Sequence, residues 1–107
     1  MIFHITTREA WDEAARAGEY RGDTLETEGF IHCSERHQVA GVANAIFAGR
    51  ADLVLLTIEP AKVGSEVRYE RAPDGAGPFP HIYGPLNTNA VARFSEYRQT
   101  DGRFPDP

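Results

Sequence analysis

The chain has 107 residues, 41% of them hydrophobic and 25% charged, which is enough for one globular domain with one core and too little for a second. Eleven Lys and Arg against sixteen Asp and Glu give a formal net charge of -5. The basic residues are scattered singly, so nothing in the pattern fits a phosphate backbone or an anionic membrane, and neither nucleic acid nor membrane is expected as a partner. Cys33 is the only cysteine, which excludes an internal disulfide and a cysteine-only metal site and suits a reducing cytosol.

No apolar run approaches the ~20 residues that span a bilayer, and Met1 to Thr7 lacks the basic-then-apolar pattern of a leader. The expectation is a cytoplasmic chain that begins directly with structure. Met1 to Ile5 reads as a short strand. Thr6, with Glu9 three residues later, has capping-box spacing and opens a helix from about Thr7 to Ala17. Ala10, Trp11, Ala14 and Ala15 recur at helical spacing, and Gly18 stands where a left-handed residue ends the element. A polar connection containing Arg21-Gly22-Asp23 follows.

Gly29-Phe30-Ile31-His32-Cys33 is apolar enough for a second strand, and Ser34 is a good cap for a second helix. That helix carries Val39, Val42, Ala43, Ile46 and Phe47 on one face and closes at Gly49. Leu53 to Ile58 is a continuous, partly β-branched apolar run, as expected of a central strand buried on both faces. Pro60 and Gly64 mark a turn, Ser65 to Tyr69 reads as a strand, and Ala72 to Pro78 is a loop by composition. Pro80 and Pro85 bracket His81-Ile82-Tyr83-Gly84. The last strand runs from Ala90 to Arg98. Two early helices and mostly late strands predict an α+β domain over residues 1–100, with 101–107 as a frayed tail.

Imidazole is the side chain best suited to move a proton near neutral pH, so the histidines are weighed one by one. His4 lies in the first strand with Thr6 on the same face, and is either a backbone-bonded buried ring or a site residue. His32 has Ser34 two positions on, beside a helix start whose free N–H groups attract anions, which makes a phosphate site plausible. His81 sits between two prolines next to the Tyr83 phenol, in the manner of a stiffened functional loop. His37, near the start of the second helix, reads as a surface residue.

Cys33 points away from both its neighbours in an extended strand, which favours a small core residue over a nucleophile. Glu70 is the best-placed carboxylate, although nothing local marks it above Glu59 or Glu66. Three histidines offer nitrogen ligands for zinc, yet no pair has the short helical spacing of a metallohydrolase. The candidate catalytic set is therefore His4, His32, His81 and Glu70, with Thr6, Ser34 and Tyr83 as ligand-binding residues.

Three motifs, Ile2-Phe3-His4-Ile5-Thr6, Gly29-Phe30-Ile31-His32-Cys33-Ser34 and Phe79-Pro80-His81-Ile82-Tyr83-Gly84-Pro85-Leu86, occur in an order that resembles the bacterial family catalogued as domain of unknown function 952. The resemblance covers Met1 to about Arg98. It implies a compact relative of the ADP-ribosyltransferase fold, a split α+β arrangement in which two small sheets enclose an NAD-binding cleft. In one branch of that fold a first-strand histidine orients the NAD ribose, an aromatic stacks on nicotinamide and a glutamate completes the set. The resemblance places His4 in the first role and Tyr83 and Glu70 in the other two.

Two classes of function stay open. One is a nucleotide-handling enzyme that binds NAD, ADP-ribose or a related phosphate ester. A variant of it is a two-histidine phosphoesterase, since His4-Ile5-Thr6 and His32-Cys33-Ser34 share the pattern histidine, any residue, hydroxyl. The other is a non-catalytic binding or accessory module that keeps a pocket for a small ligand.

Overall fold

The computed structural model describes residues 1–107. The chain runs β1 (Ile2–Thr7), α1 (Arg8–Ala17), β2 (Glu19–Tyr20), α2 (Thr24–Glu28), β3 (Ile31–His32), α3 (Arg36–Ile46), β4 (Leu53–Ile58), β5 (Glu66–Glu70), β6 (Phe79–Tyr83), β7 (Leu86–Asn87) and β8 (Val91–Glu96). Helices come early and most strands late, and the domain is α+β as expected.

All six residues of β4 are buried, and this strand is the centre of the antiparallel sheet β1-β4-β8. Side chains alternate along a strand, so β4 feeds two cores. Val54, Leu56 and Ile58 join Trp11 and Ala14 of α1, while Leu53 and Leu55 join Val39 and Ala43 of α3. The two longer helices therefore cover opposite faces of one sheet. A second antiparallel sheet has the order β3-β6-β5, and β2 pairs with β7 in a small ribbon.

The two larger sheets meet at one point. Phe3 N–H donates to Ser34 C=O and Ser34 N–H to Phe3 C=O, both at 2.8 Å. Beyond that bridge they part, and β1 faces a cleft between α1 and α3.

Several boundaries differ from the sequence reading. Thr7, not Thr6, caps α1: its hydroxyl accepts from Ala10 N–H at 3.1 Å, while Thr6 lies within β1 with its side chain buried. Gly18 ends the helix at φ +82°, the left-handed conformation its position predicts. A third helix, α2, occupies part of the polar connection. Glu35 rather than Ser34 caps α3, through a reciprocal box with Gln38. That helix stops at Ile46, before Gly49.

The C-terminal segment is docked rather than frayed. Phe104 is only 3% exposed, packed on Tyr97 at a ring separation of 5.0 Å. Its N–H donates to Asn44 Oδ1 and the Tyr97 hydroxyl to Pro105 C=O, at 2.8 and 2.7 Å. The polar composition of 101–107 hides one aromatic that the α3 side of the sheet needs as cover.

Candidate functional site

The three histidines singled out from sequence converge. His32 and His81 are direct cross-strand partners in the β3–β6 ladder, with ring centroids 5.2 Å apart. His4, on the other sheet, reaches across and donates from Nδ1 to the C=O of His32 at 2.5 Å. The motifs meet because the Phe3–Ser34 bridge fixes β1 against the end of β3.

Glu70 supplies the carboxylate. It closes β5, next to β6, and its Oε1 lies 2.9 Å from His81 Nδ1 while also accepting from the Tyr83 hydroxyl. Those two bonds, the one from Tyr83 first, hold the Glu70 carboxyl below the usual carboxylate range, and the same contact raises the Tyr83 phenol. A carboxylate accepts only, so it fixes the His81 proton on Nδ1 and leaves the Nε2 lone pair free. His81 is 7% exposed, yet no sealed side-chain nitrogen lacks a partner. Nε2 therefore opens on the cleft that the ring lines.

His32 is exposed and has its own carboxylate, with Nε2 3.1 Å from Glu28 Oε2. Phe30 organises the pair. Its ring stacks on His81 at 4.2 Å and 18°, and meets His32 at 4.7 Å. Phe30 lines the cleft, whereas Tyr83 and Glu70 lie behind it, and Arg68 covers the Tyr83 ring at 4.3 Å. Tyr83 is thus not placed to stack on a ligand in the cleft, and Glu70 acts through His81.

His4 is engaged at both nitrogens. With its Nδ1 proton given to the His32 carbonyl, its Nε2 is an acceptor, and the Tyr20 hydroxyl 2.7 Å away is the donor. Tyr20 has one proton to give, so Thr6 Oγ1, 2.9 Å from the phenol oxygen, completes the chain as donor to it. The His4 ring keeps some exposure to the cleft, but burial still dominates and pushes its pKa down to about 4, the carbonyl bond offsetting part of the shift. Burial likewise pushes Tyr20 up to about 12. The neutral forms of both groups prevail at neutral pH.

Ser34 is 7% exposed, lines the cleft and makes no side-chain hydrogen bond. The expected anion site at the start of α3 is not formed there, because the Glu35 carboxylate already occupies the helix N-terminus. Cys33 is buried, and burial pushes its thiol up, which removes it as a nucleophile. No group of three or more His, Cys, Asp or Glu is placed to hold a metal ion.

The cleft has a volume of about 1860 Å³. Arg21 and Arg50 stand at its margin, each paired with a neighbouring exposed carboxylate, Glu19 and Asp52. Exposed pairs of this kind are worth about 1 kcal/mol or less, so either guanidinium can turn to an incoming anion.

Sequence reasoning missed three participants. Tyr20 lies in a two-residue strand with no periodicity to reveal it, Glu28 reads as part of a polar connector, and Phe30 looks like ordinary strand filling. The one available signal is that Glu28 precedes His32 by four residues with a turn at Gly29 between them.

A family model described as "Protein of unknown function (DUF952)" matches residues 5–94. The X-ray crystal structure of protein CC0527 from Caulobacter crescentus is similar with a TM-score of 0.85 at 34% identity, over 97% of this chain and 92% of that one. The solution NMR structure of the same protein gives a TM-score of 0.84 at 32% identity, over 97% and 90%. Among curated proteins none matches.

Proposed function

We propose, for a chain that belongs to the DUF952 family, that the cleft is a nucleotide-handling acid–base site taking NAD, ADP-ribose or a related phosphate ester. His81 is the proton-transfer group, His32 its partner and Glu70 the residue that orients His81. The observation that carries this reading is the Glu70 to His81 Nδ1 contact, which leaves an oriented, unpartnered Nε2 beside a second imidazole.

The pair of three-stranded sheets joined by one bridge, with a first-strand histidine at the join, supports the ADP-ribosyltransferase-like version of this reading. Arg21 and Arg50 can meet a diphosphate, and Ser34 offers a free hydroxyl. His4 acts here as a strut rather than a base, since both its nitrogens are satisfied. The same fact weighs against a phosphoesterase that needs His4 as one of two free imidazoles.

Two observations favour a binding module without turnover: the first-strand histidine is committed within the protein, and Glu70 does not itself line the cleft. The test separates the two. Pure protein is incubated with NAD, ADP-ribose and 2′,3′-cyclic nucleotides, binding is followed by calorimetry and products by mass spectrometry. The enzyme reading expects turnover that falls roughly a hundredfold or more in His81→Ala. Saturable binding without products selects a nucleotide-binding module, and no binding of any of these ligands refutes the nucleotide reading in either form.

A further inference from the structure

The outer half of the cleft carries a feature that the acid–base reading does not use. Phe3 directs its N–H and C=O to Ser34, so by strand alternation His4 and Thr6 bond to β4, and the N–H and C=O of Ile5 point outward. The Thr7 N–H points the same way. Ile5 and Thr7 both line the cleft. The first strand therefore presents an open donor–acceptor–donor edge there, with nothing from the chain added to it.

The walls on either side suit a polypeptide backbone. From α1 come the small residues Ala10 and Ala17; from α3 come Val42, Ala45 and Ile46. Ile46 is 70% exposed, so the apolar stripe that the sequence assigns to the core of α3 is split, with Val39 and Ala43 packed inward and Ile46 left uncovered beside the cleft. The rim carries both signs: Arg21 and Arg50 sit in weak exposed pairs with Glu19 and Asp52, Arg71 donates to the Gly75 and Gly77 carbonyls, and Glu13 and Asp23 are the carboxylates that line the cleft with no cation of the chain beside them. With both ends included the cleft measures about 1860 Å³, against the roughly 300–1,000 Å³ of one small-ligand site, which leaves room beside the histidines.

We infer that this half of the cleft docks an extended peptide segment of a partner protein, with alternating apolar side chains and basic flanks, added to β1 as a fourth strand of the sheet β1-β4-β8. Main-chain bonds to Ile5 and Thr7 give the register, side chains alternate between the α1 and α3 walls, and lysine or arginine at the ends meets Glu13 and Asp23. The inference is independent of what happens at His81.

The probe is a capped nine-residue peptide of alternating Val and Thr with Lys at both ends, compared with the same peptide ended by Glu. Amide spectra and hydrogen exchange of the full chain are recorded with each. The expected result is saturable binding of the Lys-ended peptide, slowing of exchange at Ile5 and Thr7 by about tenfold or more, and clearly weaker binding of the Glu-ended one. Ala45→Asp, an exposed change on the α3 wall, abolishes the response with an unchanged circular dichroism spectrum. No saturation by about 1 mM peptide, or binding that leaves Ile5 and Thr7 unprotected, overturns the inference. Self-association that protects these two amides in free protein overturns it too, by assigning the edge to a second copy. NAD added to the same sample reads the imidazoles of His32 and His81, so failure at either end of the cleft is seen separately.

Discussion

Acidification from pH 7 to pH 4 is expected to remove about 2–3 kcal/mol of folding stability through His4 alone. Its pKa falls from 6.5 to about 4 on folding, and each unit is worth about 1.4 kcal/mol, giving about 3.4 kcal/mol before allowance for the partial exposure of the ring. The unfolded chain takes up this proton below pH 6.5 and the folded chain only near pH 4. Stability from this group is therefore complete above pH 6.5, declines between the two values and is flat below. Protonation places a hydrogen on Nε2, facing a Tyr20 hydroxyl that must reverse its own bond towards Thr6 to accept it. Urea unfolding followed by Trp11 fluorescence, at steps from pH 7.5 to 4, measures the effect. Carboxylates titrate in the same range, so the quantity to compare is the difference between wild type and the non-titrating His4→Gln. Parallel pH profiles for the two proteins would refute the reasoning.

Phe104→Ala is expected to lower stability by about 3–5 kcal/mol in the same assay, as for a buried ring, whereas a frayed tail would lose about 0.5 kcal/mol or less. Cys33 should resist a disulfide reagent in native protein and react only at the rate of unfolding, because burial disfavours its thiolate; rapid native labelling contradicts the packing. Gly84 has φ +148°, and a methyl group there would strike Ser65, whose hydroxyl donates to Pro85 C=O at 2.7 Å. Gly84→Ala is accordingly expected to destabilise by about 1–3 kcal/mol, read from the urea midpoint, and a neutral result would show that this turn is free to relax.

What was legible in the sequence follows from how local each signal is. The run Leu53 to Ile58 declared a doubly buried strand and is one, because continuous apolar character over six residues has few other readings. Gly18 ended its helix where expected for an equally local reason. The motif histidines were found because two imidazoles lay in apolar strands and one between prolines, and the resemblance set the three motifs side by side. Their geometry was not legible. Cross-strand registry brings His32 to His81, and a single bridge brings His4 to both.

Errors fell where tertiary contacts override short patterns. Ser34 has the chemistry of a cap, but its backbone is committed to Phe3 and the cap passes to Glu35. Tyr83 has the chemistry of a stacking ring, but Glu70 and Arg68 hold it behind the cleft, and Phe30 takes the central position. The elements β2, α2 and β7 have two to five residues each, too few for any periodicity. Tyr20, the partner that fixes His4, lies in β2, which has only two residues.

The most direct test of the acid–base reading is the ring-nitrogen spectrum of His81 in ¹⁵N-labelled protein, recorded alone, with ADP-ribose and in Glu70→Gln. The expected result is a ring that carries its proton on Nδ1 at every pH where only one nitrogen is protonated, an Nε2 signal that shifts when ADP-ribose binds, and loss of the single-tautomer pattern in the variant. A singly protonated ring with its proton on Nε2, or an Nε2 signal indifferent to every nucleotide offered, would contradict it.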